Sequence, residues 1–173
     1  MAQDAAPSPE PALLGFLMSG PQHGYELHQQ FQAELGRVWQ IGLSQLYAQL
    51  KQLAEAGQVT VETEAQSNRP ARKVYHLTPA GREAFLAWLH QPTPHLRGVR
   101  LEFLARLYFY RRLALPGLEE LVAEQAALFR HRAAALAQSA AATDDQFLRL
   151  VCDFRRMQLE AVVSWLEHCL EAS

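Results

Sequence analysis

The chain is short of cysteine, of long apolar runs and of surplus cation, and each shortage excludes a class of protein. Its two cysteines, Cys152 and Cys169, have no metal-ligand spacing. They fall in one helical stretch, too far apart to bridge without breaking a helix, so both are expected as buried free thiols. No apolar run approaches the roughly 20 residues that cross a bilayer. The opening MAQDAAPSPEP is polar and Pro/Ala-rich, without a cationic segment. The expectation is a cytoplasmic protein with no membrane segment and a short flexible tail over residues 1–10. Glycine-rich phosphate loops, a nucleophile elbow and paired-acid motifs are missing, so neither catalysis nor a cofactor is expected. The seven histidines include no HxxxH pair or His/Cys cluster, and combinations such as His28 with His23 or His131 lack ligand spacing, so no metal is expected.

Surplus positive charge is missing as well. Residues 11–92 hold six cations and six anions, and residues 93–173 hold ten of each. A globally basic nucleic-acid footprint is thereby excluded. Any contact with DNA has to come from local charge.

What is present is periodicity. PALLGFLMSGP is a short apolar run that starts after a proline and stops at Gly20-Pro21, a buried helix. HGYELHQQFQAELG spaces Leu27, Phe31 and Leu35 four apart, with Gly36 as a C-terminal cap. Leu43, Leu46, Tyr47, Leu50 and Leu53 form one apolar face of a third helix that ends at Gly57. VTVETEA and KVYHL alternate with period two, and QSNRPAR between them is turn chemistry. Thr78 caps the next helix with Pro79 at its first position, and Phe85, Trp88 and Leu89 give it a buried face. Three helices, a hairpin and a closing helix are the order of a winged helix-turn-helix, with the third helix available to the major groove and the hairpin to the adjacent backbone.

Beyond HQPTPHLRG, which holds two prolines and a glycine, the pattern is all helical. The expected fold is mainly α with a small β-hairpin: a tail at 1–10, a winged-helix domain at 11–92 and a C-terminal helical dimerisation domain at 93–173. RLEFLARLYFYRRL is apolar on most sides, which suggests an interface.

These blocks resemble the PadR-type transcriptional regulators. The likeness rests on HGYEL, on SQLYAQLKQLAEAG, on RKVYHLTPAGR and on the late SWLEHCL, and it spans about residues 11–171. Ser44-Gln45 and Ala48 stand where many relatives have Gly-Thr and a proline, and RPARK replaces a glycine-rich turn. The resemblance implies a cytoplasmic homodimer, joined through C-terminal helices, that represses its own or a neighbouring promoter and is released by a small molecule or another signal. With two-fold symmetry the target is a pseudo-palindromic double-stranded operator.

Under that reading Ser44, Gln45 and Lys51 contact DNA from the recognition helix, where the alternative is an ordinary solvated face. Tyr47 packs its ring and offers its hydroxyl to a phosphate. Tyr25 meets the backbone or packs beside Leu27. Arg69, Arg72 and Lys73, with Asn68 as a turn former, put cations at the wing. Trp88, Phe103, Tyr108 and Trp165 are either core or a flat aromatic cavity between protomers for an aromatic or phenolic effector. The rival function is a winged-helix module that binds protein without specific DNA binding.

Overall fold

Helix α1 (Glu10–Leu17) is buried along Ala12–Leu17, a stretch without a polar side chain. A computed structural model describes residues 7–64 and 72–171. Pro9 is buried, and Glu10, a carboxylate suited to a helix N-terminus, opens α1. After a two-residue strand β1 (Gln22–His23) come α2 (Gly24–Leu35) and α3 (Leu43–Glu55), then β2 (Val59–Glu64), β3 (Arg72–Leu77) and α4 (Pro79–Leu89). The sheet order is β1-β3-β2, antiparallel throughout, with His23 opposite Val74, Val59 opposite Leu77 and Glu64 opposite Arg72. Strand β1 was not expected, since two residues carry no period.

One threonine fastens the base of the hairpin. The Thr78 hydroxyl donates to the Gly57 carbonyl (2.8 Å) and accepts from the Gly81 N–H (3.1 Å), closing β2–β3 and capping α4. Gly57 has φ +69°, the left-handed region that ends α3. Gly81 lets the chain pass so closely that a Cβ there would lie 2.1 Å from the Gln58 carbonyl oxygen.

A single turn α5 (Leu96–Gly98) runs through a π-helical turn (Val99–Phe103) into α6 (Leu104–Arg112), followed by α7 (Leu118–Ala141) and α8 (Gln146–Glu171). Packing divides the chain differently from a cut at residue 92. The first unit comprises residues to Gln91 together with Gly98–Ala114, and the second comprises Pro92–Arg97 together with Leu115 onward. The reason is aromatic. Phe109 stands edge-on to Phe16 (5.2 Å, 74°) and to Phe85 (5.3 Å, 83°), inside the winged-helix core. Gly15 makes the room, since a Cβ there would lie 2.6 Å from the Phe109 ring. Phe103, Ala105, Phe109 and Tyr110 are buried within this unit, so the interface expected from RLEFLARLYFYRRL is instead core.

Arg106 is buried among them. Its Nε donates to the Trp88 carbonyl (2.9 Å), its guanidinium lies 4.7 Å from the Trp88 ring centroid, and Glu102 is 3.5 Å away. Burial lowers its pKa to about 10, with Glu102 and Tyr110 opposing the shift, so it stays charged at neutral pH.

In the second unit α7 and α8 form a helical hairpin. Leu121, Val122, Ala126, Phe129 and Ala133 of α7 are buried, as are Cys152, Leu159, Val163 and Leu166 of α8. Both cysteines are free thiols, Cys152 buried and Cys169 half-buried. The Asp145 carboxylate opens α8 by accepting from the N–H groups of Phe147 (2.8 Å) and Leu148 (3.2 Å).

Phe109→Ala is expected to cost about 3–5 kcal/mol in urea unfolding, the range for emptying a buried aromatic site. A loss below about 1 kcal/mol would show that the core closes without this ring.

Candidate nucleic-acid interface

The turn between α2 and α3 is set by two side chains of α2. His28 Nε2 (3.1 Å) and Gln32 Nε2 (2.6 Å) both reach the Ile41 carbonyl, while Trp39 and Ile41 are buried. This pairing aims the start of α3. Leu46, Leu50 and Leu53 are buried on its inner side, and Ser44, Gln45, Tyr47 and Lys51 are exposed on the outer side. Leu43, expected in the apolar stripe, is instead exposed, because it sits at the first helical position before the stripe meets the core. The first turn of α3 holds no acidic residue, and Gly42 before it supplies no side-chain cap.

Tyr47 takes its position from Gly24. A Cβ at Gly24 would lie 2.6 Å from Tyr47 Cε1, so only glycine lets the ring lie against the start of α2. Exposed Tyr25 follows immediately. Burial, and then Tyr47, push the Tyr75 hydroxyl of β3 above its ordinary pKa, which keeps it protonated at neutral pH. The backbone N–H of His23, just before α2, donates to the Glu26 carboxylate (3.4 Å).

On the wing, Arg72 and Lys73 are exposed at the start of β3. Asn68 and Arg69 lie outside the described residues. Strand register separates the two described cations: Arg72 stands opposite Glu64, whereas Lys73 stands opposite the neutral Thr63. The same strand brings Glu64 to 3.8 Å from His23 and Glu62 to 3.3 Å from His76. Lys51 pairs with Glu55 at 3.6 Å in an exposed i,i+4 contact, which is weak enough to yield to a phosphate.

The four aromatic residues considered for an effector do not share one unit. Trp88 and Tyr108 flank Phe109 at 6.4 and 5.0 Å, and Phe103 is fully buried beside them in sequence, while Trp165 belongs to α8 in the second unit. Trp88 Nε1 and the Tyr108 hydroxyl are buried and find no hydrogen-bond partner among the described residues.

His28, Gln32 and Gly24 are the positioning residues that sequence reasoning missed. On helices they read as a polar face and a small residue, and only the fold brings them to Ile41 and Tyr47.

Residues 13–87 match the family described as "Transcriptional regulator PadR-like family". A Bacillus subtilis protein, "Negative transcriptional regulator PadR", is 35% identical over 116 residues, which cover 66% of this chain and 63% of that protein. The structure of Bacillus subtilis PadR in complex with operator DNA has a TM-score of 0.51 at 28% identity, covering 98% of this chain and 99% of that one. The same protein in complex with p-coumaric acid is 29% identical, with a TM-score of 0.42 and coverage of 95% and 97%.

The chain belongs to the PadR-like family of transcriptional regulators.

A second family match, "Virulence activator alpha C-term", covers residues 99–173. It begins within the segment that packs back into the first unit, so the family boundary and the packing boundary differ by α6 and the turn before it. For the PadR-like part, HGYEL now has a physical meaning: its glycine is the seat of the Tyr47 ring.

Gly24→Ala is expected to displace that ring and to weaken DNA binding by about the factor that Tyr47→Ala does, at a stability cost of no more than about 1–3 kcal/mol. Anisotropy titration of both variants checks this. Wild-type affinity in Gly24→Ala would mean that the ring's position is not used.

Proposed function

We propose that this chain is a sequence-specific DNA-binding repressor that works as a homodimer in the cytoplasm, placing α3 in the major groove and the β2–β3 wing along the backbone. The observation that carries the reading is the outward face of α3. Ser44, Gln45, Tyr47 and Lys51 are all exposed beside Tyr25, while the opposite face is buried leucine. The operator complex of the Bacillus subtilis relative supports the same use of this unit. Among the described residues no helix is long and apolar enough to cross a membrane. Catalysis plays no part in the proposed role.

An apolar stripe on α8 supports dimerisation. Phe147, Leu150, Phe154 and Met157 recur at i, i+3, i+7 and i+10 and are 74%, 62%, 64% and 62% exposed. Large apolar side chains so exposed on one face mark a partner surface. Phe154→Glu is therefore expected to turn the dimer into a monomer in sedimentation velocity; an unchanged dimer would place the interface elsewhere.

Release by an aromatic or phenolic effector fits the two buried donors without partners, Trp88 Nε1 and the Tyr108 hydroxyl. An acceptor-bearing ring would satisfy them. Effector and operator then oppose each other reciprocally through one two-state dimer.

The deciding experiment is anisotropy against a fragment of the gene's own promoter and a scrambled fragment, across a salt series. Lys51, Arg69, Arg72 and Lys73 from two protomers predict a log–log slope of about −7. Lys73→Ala, which removes the cation opposite Thr63, is expected to weaken binding more than Arg72→Ala, whose charge Glu64 already offsets. Equal weak binding to both fragments, insensitive to these changes, would favour the protein-binding module instead.

A further inference from the structure

The outer face of α3 divides into two rows along the helix. Ser44, Tyr47 and Lys51 recur at i, i+3 and i+7, and so do Gln45, Ala48 and Gln52; all six are exposed. The first row carries two hydroxyls and the helix's one cation, and its Tyr47 ring lies against Gly24 at the start of α2. In a helix-turn-helix the first helix of the pair crosses the DNA backbone. The row beside α2 is therefore suited to phosphates, which hydroxyl and ammonium groups contact without regard to sequence.

The second row is uncharged, with two amides and a methyl group. Gln22, Gln30 and Gln32 of the same unit each spend their amide on a bond within the fold (3.4, 3.0 and 2.6 Å). The Gln45 amide makes no hydrogen bond among the described residues. It stands in the first turn of α3, the part of a recognition helix that meets base edges.

An amide offers an acceptor beside a donor. Adenine presents the complement in the major groove, its N6 amino donor beside the N7 acceptor. Guanine presents two acceptors, N7 and O6, and is met by the donors of arginine or lysine. Helix α3 has no arginine, and Lys51 lies in the other row, paired with Glu55. Ala48 follows Gln45 by three residues, about 4.5 Å along the axis, which is close to the step of about 3.4 Å between base pairs. Its methyl group suits the C5-methyl of a thymine there.

We infer that Gln45 determines specificity: its amide bonds the edge of an adenine in each half-site, and Ala48 meets the thymine methyl of the adjacent pair. Helix α3 thereby selects two consecutive A·T pairs. The inference rests on the DNA-binding reading above and adds to it which bases are read and by which side chains.

The test is selection of duplexes from a random library by the full-length protein, followed by anisotropy on the selected site. The wild type should enrich a two-fold symmetric site with two consecutive A·T pairs fixed in each half. Replacing the adenine pair of one half-site by G·C should weaken binding roughly 5- to 150-fold, the span of one good bidentate contact. Gln45→Ala should lose that preference and keep the rest of the site. Gln45→Arg should change the preferred base at that one position from adenine to guanine, a switch that altered helix stability does not produce. Uracil in place of the adjacent thymine should weaken wild-type binding about 4-fold, the worth of one buried methyl group; equal binding would overturn the Ala48 contact. If the selected site is unchanged in the folded Gln45→Ala and Gln45→Arg variants, the role of Gln45 is overturned and the regulator reading stands. If the wild type enriches no sequence, the regulator reading falls and this inference with it.

Discussion

The Phe109 ring stands edge-on between Phe16 of α1 and Phe85 of α4, and the recognition unit is built around that contact. A trihelical core closed by a small sheet has few apolar residues to spare, so a third aromatic from α6 supplies much of its interior. Gly15 is the complementary constraint, an absent side chain on an otherwise apolar helix. Arg106 then locks the same segment by bonding the end of α4. A buried guanidinium that bonds a main-chain carbonyl and stacks on an indole fixes where α6 lies more narrowly than apolar contact would.

Electrostatics on the proposed DNA face are local and partly self-cancelling. β2 carries Glu62 and Glu64 on the same wing as Arg72 and Lys73, and the register decides which cation is offset. Such a surface gains little from long-range attraction, so shape and hydrogen bonding carry more of the recognition than they would on a basic face. The Tyr47 seat over Gly24 and the paired hold of His28 and Gln32 on Ile41 fit that balance, since both place polar groups by packing rather than by charge.

The chain passes between its two units three times, after Gln91, after Arg97 and after Ala114. Gln125 and Arg132, which bond the main chain at Thr93 and Pro94, lie on α7, and the exposed apolar stripe lies on α8, its neighbour in the hairpin.

Period and punctuation in the sequence were enough to determine the local elements: the helix over Leu46, Leu50 and Leu53, the alternating strands, and the Thr78-Pro79 cap are each dictated by neighbours a few residues apart. The polar side of α3 was legible for the same reason, because a helix with one apolar stripe must expose the other. Decisions between residues far apart in the chain were not legible. RLEFLARLYFYRRL is equally suited to an interface or a core, and only the room left by Gly15 between Phe16 and Phe85 turns it inward. His23 gained a strand only because β3 offered an edge. Gln125 reads as one polar residue in an amphipathic helix until the chain folds Thr93 against it. Sequence alone determined what each segment is, because that depends on short-range sterics and periodicity; tertiary structure alone decided what each segment packs against, because that depends on volumes and hydrogen-bond partners supplied from elsewhere in the chain.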